Sequence, residues 1–401
     1  MVSYKITCKV RKEKNLLYCN KEVFQKMVGM RRDLHRIPEI AFNEFKTSEY
    51  VCNRLKELGI EYKIIAKTGV VGLIRGKEGG KNLLLRADMD ALPVTEITDS
   101  EYKSTHEGMM HACGHDFHTA ALLGTAQVLC ELKNDFYGNV KLVFQPAEEG
   151  VGGAVPMIKE GVMQNPEVDA AAALHVWPEL ECGCVELRSG GMSASSDHFN
   201  ITVTGKSGHA AYPHKCINPI VIAGRIADEI TKLTDMKNER LVSVTYISGG
   251  NCHNIIPESV TLGGTCRTTS PQSRTELEAL IKEVCDRECK KMCGKGDVEF
   301  KRRYPPVMND ENLTRMFCTS AAKTLGEDKV LFMKEASMIG EDFSYFGELV
   351  PAVFVHLGAK PKDAEQIYPL HNPLVKFDEN CLETACNSLV GLALEYLKEE
   401  K

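Results

Sequence analysis

Continuous apolar runs of strand length recur along the chain, interleaved with helical patterns. Three of the runs read "NLLLRADMD", "NVKLVFQPAEE" and "VDAAAALH". A run that is apolar at nearly every position is typical of a strand buried on both faces of a mostly parallel sheet. Amphipathic patterns at 117–132 and 384–398 predict covering helices. The sequence therefore predicts an α/β domain with helices on both faces of a mostly parallel sheet.

The ends of these runs carry acidic or imidazole side chains. Asp88 and Asp90 follow the first run, Glu148 and Glu149 follow the second, and His175 ends the third. In open α/β sheets, ligands bind beyond the carboxyl ends of the strands. We therefore expect these side chains to meet at one edge of the sheet and to form a site there.

Residues 111–120 read "HACGHDFHTA", a segment dense in groups that can bind metals. A buried ionisable side chain needs a partner to offset its desolvation, so this density indicates a ligand. Its first part, "HACGH", is predicted to be a loop that leads into the 117–132 helix. Cys113 and His115 are two positions apart, and in an extended segment they point the same way, so both can bind one centre.

The pattern changes between about 190 and 305. The predicted elements there are a strand (197–205), a helix (218–234), two strands (241–249 and 258–267), a helix (271–290) and a strand (297–303). This βαββαβ order is the ferredoxin-like arrangement. The α/β pattern resumes afterwards with "PAVFVHLGA", so the second domain is inserted into the first, with the Gly- and Ser-rich "RSGGMSASSD" as a hinge. The predicted boundaries are 1–20 for an N-terminal extension, 21–189 and 306–401 for the α/β domain, and 190–305 for the inserted domain.

Composition narrows the class of protein. The chain has 401 residues, of which 43% are hydrophobic, enough for packed cores. A net charge of -6 provides no basic stripe for a phosphate backbone, which argues against nucleic acid and favours a small molecule as the partner. The N-terminal segment lacks the apolar core of a signal peptide, and no stretch reaches the roughly 18 apolar residues of a membrane span. The sequence thus predicts a cytoplasmic protein without membrane contact.

The chain has sixteen cysteines, which we expect to be reduced thiols because the sequence lacks a signal peptide. Cys285, Cys289 and Cys293 recur every four residues and share one face of a predicted helix. Helix packing is the favoured interpretation of this face, and a structural zinc site is the alternative. Cys182 and Cys184 have no second pair at zinc-finger spacing and are interpreted as structural.

Seven motifs carry a resemblance to a known family. In chain order they are "LLLRADMDALPV", "HACGHDFHTA", "QPAEEG", "LHVWP", "GKSGHAAYPH", "GGNCHNIIP" and "PLHNP". From about residue 21 to 400 the chain resembles the dinuclear metallo-amidohydrolases and metallopeptidases of the aminoacylase and carboxypeptidase type. The most similar branch contains hippurate hydrolase, N-acyl-amino-acid amidohydrolase and the auxin-conjugate amidohydrolases, which use a cysteine where other branches place a carboxylate.

The resemblance implies a set of metal ligands and a general base. The implied ligands are Cys113, His115, Glu149, His175 and His371. Five such ligands suffice for two divalent ions if the Cys113 thiolate and a water bridge them. The mixed S, N and O donors suit zinc first, with manganese, cobalt or nickel as further candidates. The implied general base is Glu148, which would take a proton from the attacking water and pass it to the leaving amine.

The resemblance also assigns residues that position ligands and substrate. Asp90 matches an acid that orients a metal ligand. His209 matches a donor to the tetrahedral oxyanion that is supplied across a subunit interface, so the resemblance implies a homodimer, or a tetramer, whose inserted domain is both lid and dimerisation domain. Asn254 and Arg267 match positions that hold the substrate's carboxylate, and a guanidinium can grip a carboxylate through two parallel hydrogen bonds.

The implied function is hydrolysis of the amide bond of N-acyl amino acids. A dipeptidase or carboxypeptidase would use the same metals and base and is the alternative within enzymes. A thiol hydrolase with Cys113 as nucleophile and His115 as base is a second alternative. It leaves four residues without a role: Glu148, Glu149, His175 and His371. A non-catalytic metal-binding module is the third, and an intact Glu148 argues against it.

Five further residues near these motifs are assigned neither as metal ligands nor as the general base. Asp116 is either the N-cap of the following helix or a residue that orients a ligand. Asp88 is interpreted as closing a turn. Three histidines, His111, His118 and His214, are not needed as ligands of two metals.

The motifs also depart from the family's usual residues in the expected pocket. The departures are Cys252, His253, Ile339 and Tyr212. None of them is a metal ligand or the base, so they leave the reaction type unchanged and the choice of acyl group and amino acid open.

Overall fold

The fold is that of a computed structural model, which describes residues 17–399 except 151 and 363. Most of the predicted N-terminal extension, 1–16, lies outside the described residues. The helices are α1 (Lys21–His35), α2 (Phe45–Glu57), α3 (His115–Glu131), α4 (Ala154–Lys159), α5 (Pro219–Thr231), α6 (Pro271–Lys291), α7 (Glu311–Leu325), α8 (Ser344–Gly347) and α9 (Cys381–Tyr396). In the described part of the chain, none of them combines the length and the apolar character of a membrane span.

The strands occupy the remaining regular segments. They are β1 (Glu61–Ile65), β2 (Gly69–Arg75), β3 (Lys77–Asp88), β4 (Tyr137–Gln145), β5 (Ala170–Glu181), β6 (Val185–Leu187), β7 (Gly190–Ser193), β8 (Asp197–Thr204), β9 (Gly208–His209), β10 (Arg240–Ser248), β11 (Ile255–Ile256), β12 (Ser259–Thr268), β13 (Lys295–Arg302), β14 (Val307–Asn309), β15 (Val330–Phe332) and β16 (Ala352–Lys360). The chain divides into two compact units, and the second comprises Gly190–Met308 and Lys334–Ser344.

The first unit is built on an eight-stranded sheet with the order β1-β2-β4-β3-β5-β16-β6-β15. The central strands β4, β3, β5 and β16 are parallel to one another, whereas the pairs β1–β2, β2–β4 and β16–β6 are antiparallel. In β3 every residue from 83 to 88 is buried, so both faces of this strand are covered. The predicted α/β domain with a mostly parallel sheet is confirmed.

Helix α3 packs between α1 and α9 and is buried along most of its length. Its apolar residues surround the whole helix, as expected for a helix inside a core. Gly124 permits the close approach of α1, because a Cβ at this position would lie 2.2 Å from the sulfur of Met27. Helices α3 and α9 confirm the elements predicted at 117–132 and 384–398, with ends that differ by one to three residues.

The second unit has the predicted βαββαβ order, formed by β8, α5, β10, β12, α6 and β13. Its four strands are antiparallel in the order β10-β12-β8-β13, which is the ferredoxin-like topology. Cys285 and Cys289 of α6 are buried in its core, and a Cβ on Gly296 would lie 2.2 Å from the Cys285 sulfur. Among the described residues no group of metal-binding side chains includes these cysteines, so they pack α6 against the sheet.

The boundaries of the second unit differ from the predicted 190–305 at two places. The unit also takes in residues 306–308 and 334–344. The second of these segments joins it through a bridge between Ser337 and Ser193, in which the Ser337 amide donates to the Met192 carbonyl oxygen at 3.0 Å. A contact between segments so distant in sequence leaves no signal in local hydrophobic periodicity.

Candidate metal centre

Three neighbouring parallel strands of the first unit deliver polar side chains to one edge of its sheet. Asp88 is the last residue of β3, Glu148 and Glu149 lie three and four residues beyond the end of β4, and His175 lies on β5. Because β4, β3 and β5 are adjacent and parallel, their carboxyl ends meet. Side chains from all three strands approach His115, although β5 continues six residues beyond His175 to Glu181.

Cys113 is in the loop before α3 and His115 is the first residue of the helix, so the extended segment predicted for this pair is wrong, but their donor atoms still lie close together. Gly114 is the N-cap of α3 with φ of 87°, a left-handed conformation that favours glycine. A Cβ at Gly114 would also lie 2.3 Å from a methyl group of Val176, so the loop can lie against β5 only with glycine here. His371 joins from a distant loop, where its amide donates to the Ala112 carbonyl oxygen at 2.9 Å.

The five implied metal ligands form two overlapping triads. One consists of Cys113, His115 and His175, the other of Cys113, Glu149 and His371, and within each the ligand atoms lie within 4.8 Å of one another. The Cys113 sulfur is 3.4 Å from Nε2 of His175. Oε1 of Glu149 is 3.2 Å from Nε2 of His371 and 3.9 Å from Nε2 of His115. Together the two triads offer five donor side chains, enough to hold two divalent ions.

Contacts at Nδ1 hold both buried histidines of the first triad with Nε2 towards the centre. Nδ1 of His175 donates to the Val176 carbonyl oxygen at 2.8 Å, and Nδ1 of His115 lies 3.2 Å from Oδ1 of Asp90. Nε2 of His115 is buried without a hydrogen-bond partner. A buried polar atom without a partner is costly, and a metal ion would satisfy it. The residues therefore fit a metal.

Asp90 connects His115 to the turn that carries Glu148 and Glu149, which we call the acidic turn. Its Oδ1 faces His115, and its Oδ2 accepts a hydrogen bond from the Glu149 amide at 3.0 Å. One carboxylate thus orients a ligand side chain and the backbone of a second ligand. This is the kind of contact that the resemblance implied for Asp90.

Negative charge is concentrated at the centre and shifts the pKa of its titratable groups. Burial raises the pKa of the Cys113 thiol well above its usual value, and the charges of Glu149 and Glu148 add to this. Burial lowers the pKa of His115, but Asp88, Asp90 and Glu149 outweigh it and raise that pKa to about 10. Divalent cations would offset this concentration of negative charge and hold the thiol as thiolate.

Asp116 has neither of the roles that its position suggested. The N-cap of α3 is Gly114, so Asp116 is the second residue of the helix. Its Oδ2 forms ion pairs with Nε of Arg31 at 2.9 Å and Nδ1 of His35 at 2.7 Å. The partners lie on α1, about eighty residues earlier, so local sequence could not reveal them.

Asp88 and His118 form a contact that the sequence interpretation missed. Nδ1 of His118 donates to Oδ1 of Asp88 at 2.5 Å, and the Val176 amide donates to Nε2 of His118 at 2.8 Å. Arg86 completes the group by donating to Oδ2 of Asp88 at 2.6 Å. Asp88 therefore does more than close a turn. A signal was present, because residues three apart on a helix share a face and His118 follows His115 at that spacing.

The two other unassigned histidines contribute no ligand to these triads. His111 is buried, neither of its ring nitrogens has a hydrogen-bond partner, and burial lowers its pKa to about 3. His214 lies in an exposed turn of the second unit.

The substrate-binding candidates lie in the second unit. His209, on β9, is exposed and pairs in register with Ile255 of β11. The amide of Ala210 donates to the Asn254 carbonyl oxygen at 3.0 Å, so this pair of strands brings His209 and Asn254 close together. Arg267 lies apart from them on β12 and is half-buried, and burial lowers its pKa.

The residues that depart from the family pattern are on the same unit. Cys252 and His253 are exposed in the loop beside Asn254. Tyr212 is 54% exposed and its ring lies edge-on to that of His209, and Ile339 is 50% exposed. All four are accessible enough to contact a ligand.

Comparisons with known proteins bear on the identity of this centre. A family model described as peptidase family M20/M25/M40 matches residues 84–395. The chain is 38% identical to IAA-amino acid hydrolase ILR1-like 4 of Arabidopsis thaliana over 389 residues, which cover 95% of this chain and 88% of that protein. It is 36% identical over 385 residues to thermostable carboxypeptidase 2 of Saccharolobus solfataricus, with 94% and 96% covered.

The names of two further similar proteins refer to an N-acyl amino acid and to a dinuclear metal centre. N-acetyl-L-cysteine deacetylase of Bacillus subtilis is 36% identical over 364 residues, with 89% of this chain and 85% of that protein covered. A crystal structure from Bacillus subtilis, described as a dinuclear metal-binding peptidase of the M20 family, has a TM-score of 0.84 and 31% identity, with 94% and 99% covered. On these matches, which span nearly the whole chain, the protein belongs to peptidase family M20/M25/M40.

Proposed function

We propose that the protein is a metal-dependent amidohydrolase that cleaves the amide bond of N-acyl amino acids. The observation that carries the proposal is the pair of triads that share Cys113, with the buried Glu148 beside Glu149. The relatives support the substrate class, because one is named an IAA-amino acid hydrolase and another an N-acetyl-L-cysteine deacetylase.

Two divalent ions are the proposed cofactors. Cys113, His115, Glu149, His175 and His371 would hold them. When bound, such ions polarise an amide carbonyl and lower the pKa of a water. The thiolate and imidazole donors favour zinc, with manganese, cobalt and nickel as alternatives.

Glu148 is the proposed general base. It is 7% exposed, and its carboxylate lies within 4.8 Å of the donor atoms of His115 and Glu149. Glu148 would take a proton from the attacking water and deliver it to the nitrogen of the leaving amine, which an amide requires because a free amide anion is too poor a leaving group. Asp90 would hold His115 and the Glu149 backbone in place during these steps.

The second unit is proposed to supply a hydrogen-bond donor to the oxyanion and the residues that bind the substrate's carboxylate. His209 would donate to the developing oxyanion, across the interface of a homodimer or of a tetramer built from such dimers. Asn254 and Arg267 would bind the carboxylate of the amino acid. A cytoplasmic location is also proposed, because every cysteine in the described part of the chain is free, as expected in a reducing compartment.

Cleavage of short peptides is the second candidate function. It is favoured by the similarity to a protein named a thermostable carboxypeptidase, which would use the same centre. The two functions differ in whether the group on the amide carbonyl is an acyl chain or carries a free amine.

A substrate panel on metal-loaded protein tests the proposal. Acetyl, benzoyl, indole-acetyl and long-chain acyl amino acids are compared with dipeptides and carboxypeptidase substrates. We expect the highest kcat/KM on an N-acyl amino acid, loss of activity on chelation, and recovery when zinc, manganese or cobalt is added. Metal should also protect Cys113 from alkylation, because a coordinated thiolate is a poor nucleophile. Full activity of the metal-free protein would refute the two-metal site and favour Cys113 as nucleophile.

A further inference from the structure

The turn that carries Glu148 has a strained backbone. Ala147, directly before the proposed base, has φ of 55° and is fully buried. Residues other than glycine occupy this left-handed region at a cost, so they persist there only when surrounding contacts enforce it. The contacts that enforce it at Ala147 therefore determine where the Glu148 carboxylate points.

A fully buried carboxylate from another part of the chain holds this backbone. Oε1 of Glu44 accepts a hydrogen bond from the Ala147 amide at 2.9 Å. The same oxygen accepts from the Phe42 amide at 2.9 Å, and Oε2 accepts from the Thr68 hydroxyl at 2.6 Å. Glu44 is 0% exposed and belongs to neither triad. All of these residues are in the first unit.

The acidic turn is thus held at two points by carboxylates. Asp90 accepts from the Glu149 amide at 3.0 Å, and Glu44 accepts from the Ala147 amide. Glu148 is the residue between these two anchors. A residue fixed on both sides has little freedom to rotate its backbone, and a displacement of about 1 Å in a reacting group can cost about 100-fold in rate.

We infer that Glu44 is a positioning residue for Glu148. It fixes the left-handed backbone of Ala147 and thereby aims the Glu148 carboxylate, without touching substrate or metal. This inference rests on the proposed role of Glu148 as general base. It predicts that loss of the Glu44 contact lowers kcat and leaves metal binding intact.

Substitutions of Glu44 and Thr68 separate this role from a purely structural one. Glu44→Ala removes all three hydrogen bonds. Glu44→Gln keeps an oxygen that can accept from the two amides, and its NH2 group can donate to the Thr68 hydroxyl oxygen. Thr68→Val is the matched control, because it removes the buried bond to the other oxygen and leaves the Ala147 contact. Glu44→Asp is the reserve variant if Glu44→Ala does not fold, since it withdraws the carboxylate by one methylene.

The kinetic readout is kcat and KM on the best N-acyl amino acid of the panel, with metal content measured in parallel. We expect kcat of Glu44→Ala to fall roughly 10- to 100-fold with KM nearly unchanged and two metals retained. Glu44→Gln and Thr68→Val should stay within about threefold of wild-type kcat. Equal losses of kcat in Thr68→Val and Glu44→Ala, or loss of metal in Glu44→Ala, would overturn the inference.

Hydrogen exchange at the acidic turn gives a readout that needs no substrate. In the wild type the Ala147 amide is hydrogen-bonded, so peptides that contain residues 146–150 should exchange faster in Glu44→Ala than in wild type, Glu44→Gln or Thr68→Val. Unchanged exchange in Glu44→Ala would refute the inference even if the protein hydrolyses no substrate of the panel. A panel without any hydrolysis refutes the proposed function instead, so the two failures are distinguishable.

Discussion

At the residue scale, the two adjacent glutamates of "QPAEEG" have different surroundings. Oε1 of Glu149 faces the imidazoles of His371 and His115, and Glu149 belongs to a triad with Cys113. Glu148 belongs to neither of the triads that share Cys113. The two carboxylates should therefore respond differently to the loss of charge.

Exchange of each glutamate for glutamine tests this difference. Glu148→Gln should keep two metals per chain and lose roughly 10²- to 10⁴-fold in kcat, because only the proton transfer is removed. Glu149→Gln should instead lower the metal content, because a neutral amide is a weaker ligand. Metal analysis and steady-state kinetics on both proteins decide the assignment. Metal-depleted Glu148→Gln beside fully loaded Glu149→Gln would show that the roles are reversed.

The buried carboxylate of Glu96 predicts a pH dependence of stability. Burial raises the pKa of Glu96, but hydrogen bonds from His35, Thr98 and the Ser104 amide outweigh it and lower that pKa to about 2. A carboxylate whose folded pKa lies below its unfolded value stabilises the fold above the unfolded pKa, about 4.3, and this contribution is lost as the pH falls towards 2.

Glu96→Gln should therefore cost stability in a pH-dependent way. We expect the free energy of unfolding to fall by roughly 3 kcal/mol at pH 7. The difference in unfolding free energy between the variant and wild type should shrink by about half between pH 7 and pH 3. Urea unfolding at both pH values measures it. Glu107→Gln, at an exposed glutamate, is the control and should change the free energy of unfolding by less than about 0.5 kcal/mol. A gap for Glu96→Gln that is the same at both pH values would contradict the ionic explanation.

At the element scale, the start of α3 depends on Gly114. Its φ of 87° and the closeness of Val176 both exclude a side chain, and Cys113 and His115 flank it. Gly114 thus fixes the start of the helix between the two proposed metal ligands. Gly108 has a similar φ of 75°, but a Cβ added there would have no atom within 4 Å. A substitution at Gly108 therefore measures the cost of the left-handed backbone without steric overlap.

Alanine substitutions at the two glycines separate strain from steric overlap. Gly108→Ala should cost about 1 kcal/mol of stability, the penalty of a left-handed alanine. Gly114→Ala should cost roughly 2–4 kcal/mol, because the overlap with Val176 adds to that penalty, and it should weaken metal binding as well. Denaturant unfolding and metal titration measure both. Equal effects of the two substitutions would show that the contact with β5 is unimportant.

At the scale of the whole molecule, the second unit exposes apolar side chains suited to self-association. Ile220, Val221, Tyr246, Ile247 and Ile255 are each between 43% and 51% exposed. Exposed apolar side chains that form a contiguous patch are typical of an interaction surface. They support the proposal that this unit forms a homodimer and presents His209 to the partner's centre.

Mixing two inactive variants tests that proposal. Glu148→Ala and His209→Ala proteins are mixed under conditions that allow subunit exchange, which mass spectrometry verifies. In a mixed dimer the His209→Ala chain keeps its metals and Glu148 and receives His209 of the partner subunit. Since about half the dimers are mixed and each has one complete site of two, activity should recover to about a quarter of wild type. Verified exchange without recovery would mean that His209 acts within its own chain.

The sequence by itself determined the elements and much of the chemistry. Continuous apolar runs mark strands buried on both faces, and the period of the middle segment marks the βαββαβ unit, because both signals are local and arise from which side of an element is buried. The ligand set that the resemblance implied, from Cys113 to His371, is the set that the fold brings together, although the role of each residue in it remains a prediction.

Only the tertiary structure decided the contacts between segments distant in sequence. It paired Asp116 with Arg31 and His35 instead of the helix N-terminus, joined His118 to Asp88, and brought Glu44 to Ala147. A lone glutamate at position 44 looks like an exposed helix start, and nothing in its neighbours indicates that it is fully buried. Three-dimensional packing decides which buried donor pairs with which acceptor. Each buried polar group needs a hydrogen-bond partner, and the fold can supply that partner from any part of the chain.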